Sequence, residues 1–199
     1  MLRVFRTKVG DRRPSLIQAD CDRAWPLRDG VAAVVFASRV AHLLNAAHVT
    51  RETLRVCHPA GWLVLGGVVR DQDGVKERLR RHRRDLLAAA GFAPRQGEGR
   101  TRHLAACCRA AGGTSLGRRI VAEWTGEMTP AAVIADWEPL SRMGAVAVDP
   151  VTRMEILAEL RRWAVAEFGD LQRSAPFREQ YVVEVVRLPR AAVSEEQGS

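Results

Sequence analysis

The chain has 199 residues, of which 47% are hydrophobic and 27% are charged, a balance typical of a folded domain rather than a disordered segment. Lysine and arginine (31) outnumber aspartate and glutamate (23), so the formal net charge is +8. No run approaches the roughly 18 apolar residues of a membrane span, and no apolar signal core is present. We therefore expect a cytoplasmic protein without membrane contact. The excess charge is compatible with nucleic acid, but we attribute it to a general preference for arginine and do not expect nucleic-acid binding.

Apolar runs alternate with segments of helical periodicity along the chain. The opening, 1–10, has the spacing of an amphipathic helix but no N-cap residue before it. The predicted strands are 15–20, 31–40, 62–69, 118–124 and 178–189, and the predicted helices are 46–59, 71–92, 101–113, 129–144 and 150–169. This alternation predicts a parallel α/β sheet with helices on both faces. The polar tail, 191–199, is expected to be disordered.

Three further features bear on the core. The cysteines (Cys21, Cys57, Cys107 and Cys108) have no zinc-type spacing, so we expect buried, reduced thiols and no metal site. On helix 71–92, an apolar stripe is expected to face inward and the basic run 76–84 to be solvated. On helix 150–169, the residues expected to face inward are Met154, Leu157, Leu160, Ala164 and Phe168.

The order of several motifs resembles the class I S-adenosylmethionine-dependent methyltransferases, specifically the small-molecule branch called type 11. The motifs are a strand ending in "QAD" at Asp20, the loop "WPLRDG", an apolar strand running into "ASRVAHLL", and "PAG" followed by "WLVL". The resemblance covers 1–92 motif by motif and the remainder more loosely. It implies one methyltransferase-like domain over 1–190, with a Rossmann-like sheet, a helical C-terminal part and an antiparallel last strand. The family's strand order is third, second, first, fourth, fifth, seventh, sixth.

The resemblance implies contacts to the adenine of S-adenosylmethionine, the family's cofactor. In the family, the acid that ends the third strand accepts a hydrogen bond from the adenine amino group, and Asp20 occupies that position. The backbone N–H of Cys21 would meet an adenine ring nitrogen. The alternative for Asp20 is that its carboxylate merely caps a turn.

Residues after the fourth strand are implicated in the same way. Ala37, Ser38 and Arg39 would border the methionine side of the cofactor. His42 matches the first histidine of the family's "HH" pair and is our candidate general base for a small-molecule acceptor. The alternatives are that Ser38 caps a helix and that His42 is a buried imidazole. The helices at 100–113 and 129–168 lie where the family builds its substrate cover.

The sequence also departs from the family. The glycine-rich loop after the first strand and the acid that ends the second strand are absent, so we predict a sheet truncated at its N-terminal side, with the first two strands missing. Ala60 stands in "PAG" where the family has glycine. Because only the adenine contacts are present, we expect the chain alone not to bind S-adenosylmethionine at micromolar concentration, and leave open whether it is an enzyme.

Without the first strand, the fourth would be an uncovered apolar edge. Three accounts follow, in order of preference: the protein extends upstream of Met1, a partner chain completes the sheet as a homo- or heterodimer, or 15–20 pairs directly with 31–40. The functional expectation is a methyltransferase, or a fragment of one, that acts on a small molecule. The alternative is a non-catalytic subunit or degenerate copy that completes or stabilises a partner chain.

Overall fold

The computed structural model describes residues 15–93, 97–140, 142–143 and 146–190, of which 97–100 are described by their backbone only. The predictions for 1–10 and 191–199 lie outside these ranges. The strands are β1 (Ala32–Ser38), β2 (Cys57–Arg70), β3 (Thr114–Met128), β4 (Arg142–Met143), β5 (Val146–Ala147) and β6 (Ala175–Arg187). The α-helices are α1 (Ala46–Val56), α2 (Val75–Ala89), α3 (Gly97–Ala110), α4 (Pro130–Ala135) and α5 (Pro150–Phe168), and a single 3-10 turn spans Ala41–Leu43.

Four of the strands form one sheet in the order β1-β2-β6-β3. β1 and β2 are parallel, whereas β6 is antiparallel to β2 and β3. In the family's numbering, these four strands are the fourth, fifth, seventh and sixth. The Rossmann-like sheet with an antiparallel last strand is therefore confirmed. An all-parallel sheet is wrong, because β3 ends at Met128 directly opposite Ala175, where β6 begins. The chain therefore enters β6 at the same end of the sheet at which it left β3.

Residues 15–20, predicted to be a strand, have no regular secondary structure. Ile17 is 54% exposed, and β1 pairs with β2 but with no other described strand. Pairing of 15–20 with 31–40 is therefore wrong. An extended segment becomes a strand only where a neighbour takes up its backbone hydrogen bonds, and the described residues offer 15–20 no such neighbour.

Polar side chains begin three of the helices. The Asn45 side chain accepts the N–H of His48 ahead of α1, and Asp149 accepts two N–H groups ahead of α5. Thr129 accepts the N–H of Ala132 and Pro130 is the first residue of α4, as the sequence predicts.

One hydrophobic core lies between a single face of the sheet and two helices. α1 and α3 cover Leu63, Leu65 and Val186, all of which are buried. The described helices do not cover the opposite face in the same way, since Val34 and Phe36 on β1 are 49% and 57% exposed. This differs from the expectation of helices on both faces.

A second core joins α2, α4 and α5 beyond the end of the sheet. Met128 at the end of β3 and Ala175 at the start of β6 pack against it. Within α5 the expected inward pattern holds at Leu157, Leu160 and Ala164, but Met154 is 62% exposed. None of the helices in the described ranges is long and apolar enough to cross a membrane.

Candidate active site at the carboxyl edge of the sheet

The parallel strands β1 and β2 end at one edge of the sheet, at Ser38 and Arg70. α2 begins immediately after β2, and the second core lies at the same edge. In open α/β sheets, ligands bind beyond the carboxyl ends of the strands. The polar side chains at this edge therefore define the candidate site.

Ser38 and Tyr181 form a hydrogen-bonded pair that spans the width of β2. Ser38 pairs with Gly66 and Tyr181 pairs with Val68, so both side chains lie on the same face of the sheet. The Ser38 Oγ and Tyr181 Oη atoms are 2.5 Å apart. A Cβ atom at Gly66 would lie 2.1 Å from Tyr181 Oη, so only glycine lets the tyrosine ring cross β2 and reach β1.

Arg39 follows Ser38 in a left-handed backbone conformation, with φ of 55°. Its N–H donates to the carbonyl of Gly66 at 2.8 Å, which holds the turn against β2. The Arg39 side chain is exposed and makes no hydrogen bond or ion pair with a described residue. The turn thus presents a guanidinium that no described residue pairs with, beside the Ser38–Tyr181 pair.

A cluster of charged side chains joins the end of β2 to the first turns of α2. Arg70 Nε donates to Glu179 Oε1 at 2.7 Å, and Lys76 Nζ lies 3.8 Å from the same oxygen. Arg80 Nη1 is 3.7 Å from Glu77 Oε2. Burial lowers the pKa of Arg80, and the positive charge of Arg70 lowers it further.

The turn at Asp20 and Cys21 is described and exposed. Asp20 Oδ1 accepts the N–H of Asp22 at 3.0 Å, and Oδ2 lies 3.5 Å from Arg23 Nε. The carboxylate thus caps its own turn, as the alternative interpretation holds, while remaining open to solvent. The thiol of Cys21 is exposed, which corrects the expectation of four buried cysteines.

The groups exposed at the Asp20–Cys21 turn match the hydrogen-bonding edge of adenine. The edge of adenine offers an amino donor beside a ring-nitrogen acceptor, and the turn offers an exposed carboxylate beside the Cys21 N–H, which has no partner among the described residues. The donor set therefore fits the adenine end of S-adenosylmethionine. Among the described residues we find no comparable donor set for its ribose hydroxyls.

The loop that carries this turn is fastened to α1. Glu52 accepts the N–H of Trp25 at 2.7 Å. All five N–H groups of Arg55 donate, to both oxygens of Glu52, to the Asp29 carboxylate and to two backbone carbonyls of the loop. The bonds to Arg55 and to Trp25 lower the pKa of Glu52 from 4.5 to about 2. The "WPLRDG" loop is thus held by Arg55, which forms ion pairs with both Glu52 and Asp29.

The remaining predicted site residues are not joined to the Ser38–Tyr181 pair. Ala37 packs against the core under α1 and α3, so its side chain lies on the opposite face from that of Ser38. His42 lies in the 3-10 turn, half-buried, and forms no hydrogen bond with a described residue. Within the described ranges, no group of three His, Cys, Asp or Glu residues could hold a metal ion.

The sequence analysis did not identify Tyr181 or the charged residues at the start of α2 as site residues. Tyr181 is the one tyrosine of the chain, and the pair Gly66–Gly67 inside an apolar strand was the available signal for a close approach. The basic run 76–84 was expected to be solvated, but Arg83 is 9% exposed and its guanidinium lies 4.0 Å from the ring centroid of Trp137. Burial lowers the pKa of Arg83 to about 10.

Comparisons with known proteins agree with this fold. A family model described as a methyltransferase domain matches residues 1–65. A solved structure described as a methyltransferase from Bacillus halodurans has a TM-score of 0.53 and 16% identity, with 94% of this chain and 77% of that chain covered. A type II methyltransferase from Anaeromyxobacter dehalogenans has a TM-score of 0.50 and 16% identity, with 82% of this chain and 68% of that chain covered. No curated protein matches the sequence.

The resemblance to the class I methyltransferases is therefore confirmed. The family match includes the turn at Asp20 and the end of β1, and the fold match extends over the sheet and its helices.

Proposed function

We propose that this chain contributes the acceptor side and the adenine contacts of an S-adenosylmethionine-dependent methyltransferase that acts on a small molecule in the cytoplasm. The observation that carries the proposal is the gathering of polar groups at the carboxyl edge of a methyltransferase-type sheet, where such folds bind ligands. Asn45, which follows β1, donates its N–H to Asp22 at 2.8 Å. This hydrogen bond holds the Asp20–Cys21 turn close to the segment that follows β1.

When bound, S-adenosylmethionine supplies an electrophilic methyl group on its sulfonium. Asp20 and the Cys21 N–H would hold the adenine, and the end of β1 at Ala37 and Ser38 would border the methionine side. Catalysis of this kind depends mainly on orienting the acceptor in line with the methyl group. His42 is the candidate base for an acceptor that must lose a proton.

The proposal is tested with adenosine, because the chain offers groups for that end of the cofactor. We expect adenosine at millimolar concentration to shift the backbone amide signals of Cys21 and of the end of β1 in a protein NMR titration. Asp20→Ala removes the carboxylate that accepts from the adenine amino group, and we expect it to abolish these shifts.

Asp170→Ala is the matched control. Asp170 is exposed, and its carboxylate accepts an N–H two residues on, as that of Asp20 does. The control variant should bind adenosine as the parent does. Unchanged spectra with adenosine, or shifts that survive in Asp20→Ala, would contradict the adenine role. We further expect no micromolar binding of S-adenosylmethionine by the chain alone in isothermal titration calorimetry.

A second candidate function is supported by the exposed edge of the sheet. β1 consists of seven uncharged residues, and Val34 and Phe36 on it are about half exposed. An apolar edge strand is a ready template for another strand. In this alternative the chain is a non-catalytic subunit that completes the sheet of a partner chain, either a second copy or an intact methyltransferase.

A further inference from the structure

The carboxyl edge carries more positive than negative charge. Each carboxylate of the cluster is shared by two cations: Glu179 by Arg70 and Lys76, and Glu77 by Arg80 and Arg84. Arg39 lies close enough to Arg80 to lower its pKa, and no carboxylate in the described part of the chain pairs with it. The cluster therefore has an uncompensated positive charge beside the Ser38–Tyr181 pair.

Two donors in the cluster lack an acceptor. The Nε of Arg80 is buried and has no hydrogen-bond partner, and the Arg39 guanidinium has none among the described residues. A buried donor without an acceptor is unfavourable, and such groups in native proteins usually meet water or an ion. Arg80 Nε therefore lacks an oxygen acceptor, and the exposed Arg39 guanidinium can bind the same kind of oxygen.

An adjacent cleft does not account for the excess charge. It lies between the start of α2 and β6. Its charged lining is balanced, with Arg70, Lys76 and Arg178 against Asp71, Glu77 and Glu179. The unbalanced charge lies instead on the side of Arg39 and Arg80, towards the end of β1.

We propose that Arg39, Arg80 and Arg70 bind a carboxylate or phosphate group of the acceptor, beside the Ser38 and Tyr181 hydroxyls. Guanidinium groups suit these anions because their N–H donors match the spacing of two anionic oxygens. The inference rests on the proposed function and gives its substrate class: a small molecule that carries an oxyanion near the atom to be methylated.

The test uses the full chain and inorganic phosphate at low ionic strength, since salt weakens exposed charge interactions. Phosphate should shift the Arg80 Nε–Hε signal in an NMR titration, because that donor gains an acceptor. In Arg39→Ala we expect the phosphate affinity to fall about tenfold or more. Arg39→Lys should retain part of the affinity, since lysine keeps the positive charge but lacks the paired N–H donors of the guanidinium group.

Arg28→Ala is the matched control. Arg28 is an exposed arginine without a described partner, but it precedes β1 and so lies at the opposite end of that strand. We expect it to leave phosphate affinity unchanged. An equal loss in both variants would show general attraction to surface charge and overturn the site, as would an Arg80 signal that phosphate does not move.

A second arm separates the acceptor from the cofactor, whose methionine part also carries a carboxylate. Phosphate is titrated again with S-adenosylhomocysteine at millimolar concentration, where a shift of the Cys21 amide signal shows that it is bound. Unchanged phosphate affinity supports a site for the acceptor, and competition would overturn that assignment in favour of the cofactor carboxylate. Because phosphate binding needs no adenine contact, failure of the Asp20 experiment and failure of this one are distinguishable.

Discussion

At the scale of single residues, two positions show how the backbone constrains the choice of side chain. Arg39 and Ala60 have φ of 55° and 59°, a conformation that costs a residue with a Cβ atom about 1–2 kcal/mol. Ala60 lies where β2 bulges between the pairs Ala32–Cys57 and Val34–Trp62. The family's glycine at this position therefore has a physical reason, which the motif alone did not reveal.

Ala60→Gly should stabilise the protein. Relief of the left-handed strain is expected to raise the free energy of unfolding by about 1 kcal/mol, measured by urea denaturation. The control is Ala33→Gly on β1, where φ is not positive and added backbone freedom should lower the free energy of unfolding by roughly 0.5–1 kcal/mol. A destabilised Ala60→Gly variant would contradict the strain at this bulge.

The neighbouring glycine obeys a different constraint. A Cβ atom at Gly61 would lie 2.9 Å from the His58 carbonyl oxygen and 3.0 Å from that of Ala33. Its φ is not in the left-handed region, so crowding by carbonyl oxygens of β1 and of β2 itself requires glycine there. The "PAG" motif thus combines one strained residue with one crowded residue.

At the scale of elements, the sequence located the starts of α1, α4 and α5 well because their caps are local, whereas the helix predicted over 129–144 ends at Ala135. Thr129, Asn45 and Asp149 each accept N–H groups within four residues. The boundary between α1 and β2 was less predictable: the sequence predicts a helix up to residue 59 and a strand from residue 62, but α1 ends at Val56 and β2 begins at Cys57. Pairing of Cys57 with Ala32 on β1 decided that boundary, and pairing is not a local property.

The loop held by Glu52 and Arg55 gives a pH prediction. The pKa of Glu52 is lowered from 4.5 to about 2 in the folded protein. The stabilisation is therefore complete above about pH 4.5 and is lost as the pH falls towards 2. Glu52→Gln should lower Tm at neutral pH and make Tm fall less steeply over that acidic range.

Differential scanning calorimetry between pH 2 and pH 7 measures this effect. Glu155→Gln, at an exposed glutamate on α5 without a described ion pair, should keep the pH dependence of the parent. If Glu52→Gln also keeps it, the Glu52–Arg55 pair does not stabilise the loop.

At the scale of the whole molecule, the two edges of the sheet differ in chemistry. β1 has no charged residue, whereas β3 carries Arg118, Arg119 and Glu123. Charged side chains on an edge strand oppose pairing with another chain. A partner chain that completes the sheet would therefore pair with β1 rather than with β3.

Phe36→Glu tests this account. We expect the parent chain to self-associate at high concentration through β1, and the variant to sediment as a monomer in analytical ultracentrifugation. Ile120→Glu on β3 is a close control, because Ile120 and Phe36 are both 57% exposed, and it should associate as the parent does. A monomeric parent would contradict a homodimer through this edge, and equal effects of both variants would contradict its specificity.

The sequence alone determined the features that depend on neighbours along the chain. Apolar runs and capping residues indicated most strands and helices, and the order of short motifs indicated the methyltransferase resemblance. The single domain over 1–190 stays a prediction. Local pattern failed at 15–20 because a strand needs a partner, and the described chain offers none beside β1.

Only the tertiary structure assembled the candidate site. Ser38 and Tyr181 are 143 residues apart in sequence, and they meet because β6 enters the sheet antiparallel beside β2 and Gly66 leaves room for the ring. Arg70 and Glu179 pair through the same register. A contact of this kind depends on strand order and side-chain volume across the sheet, and neither is encoded in the spacing of residues along one segment.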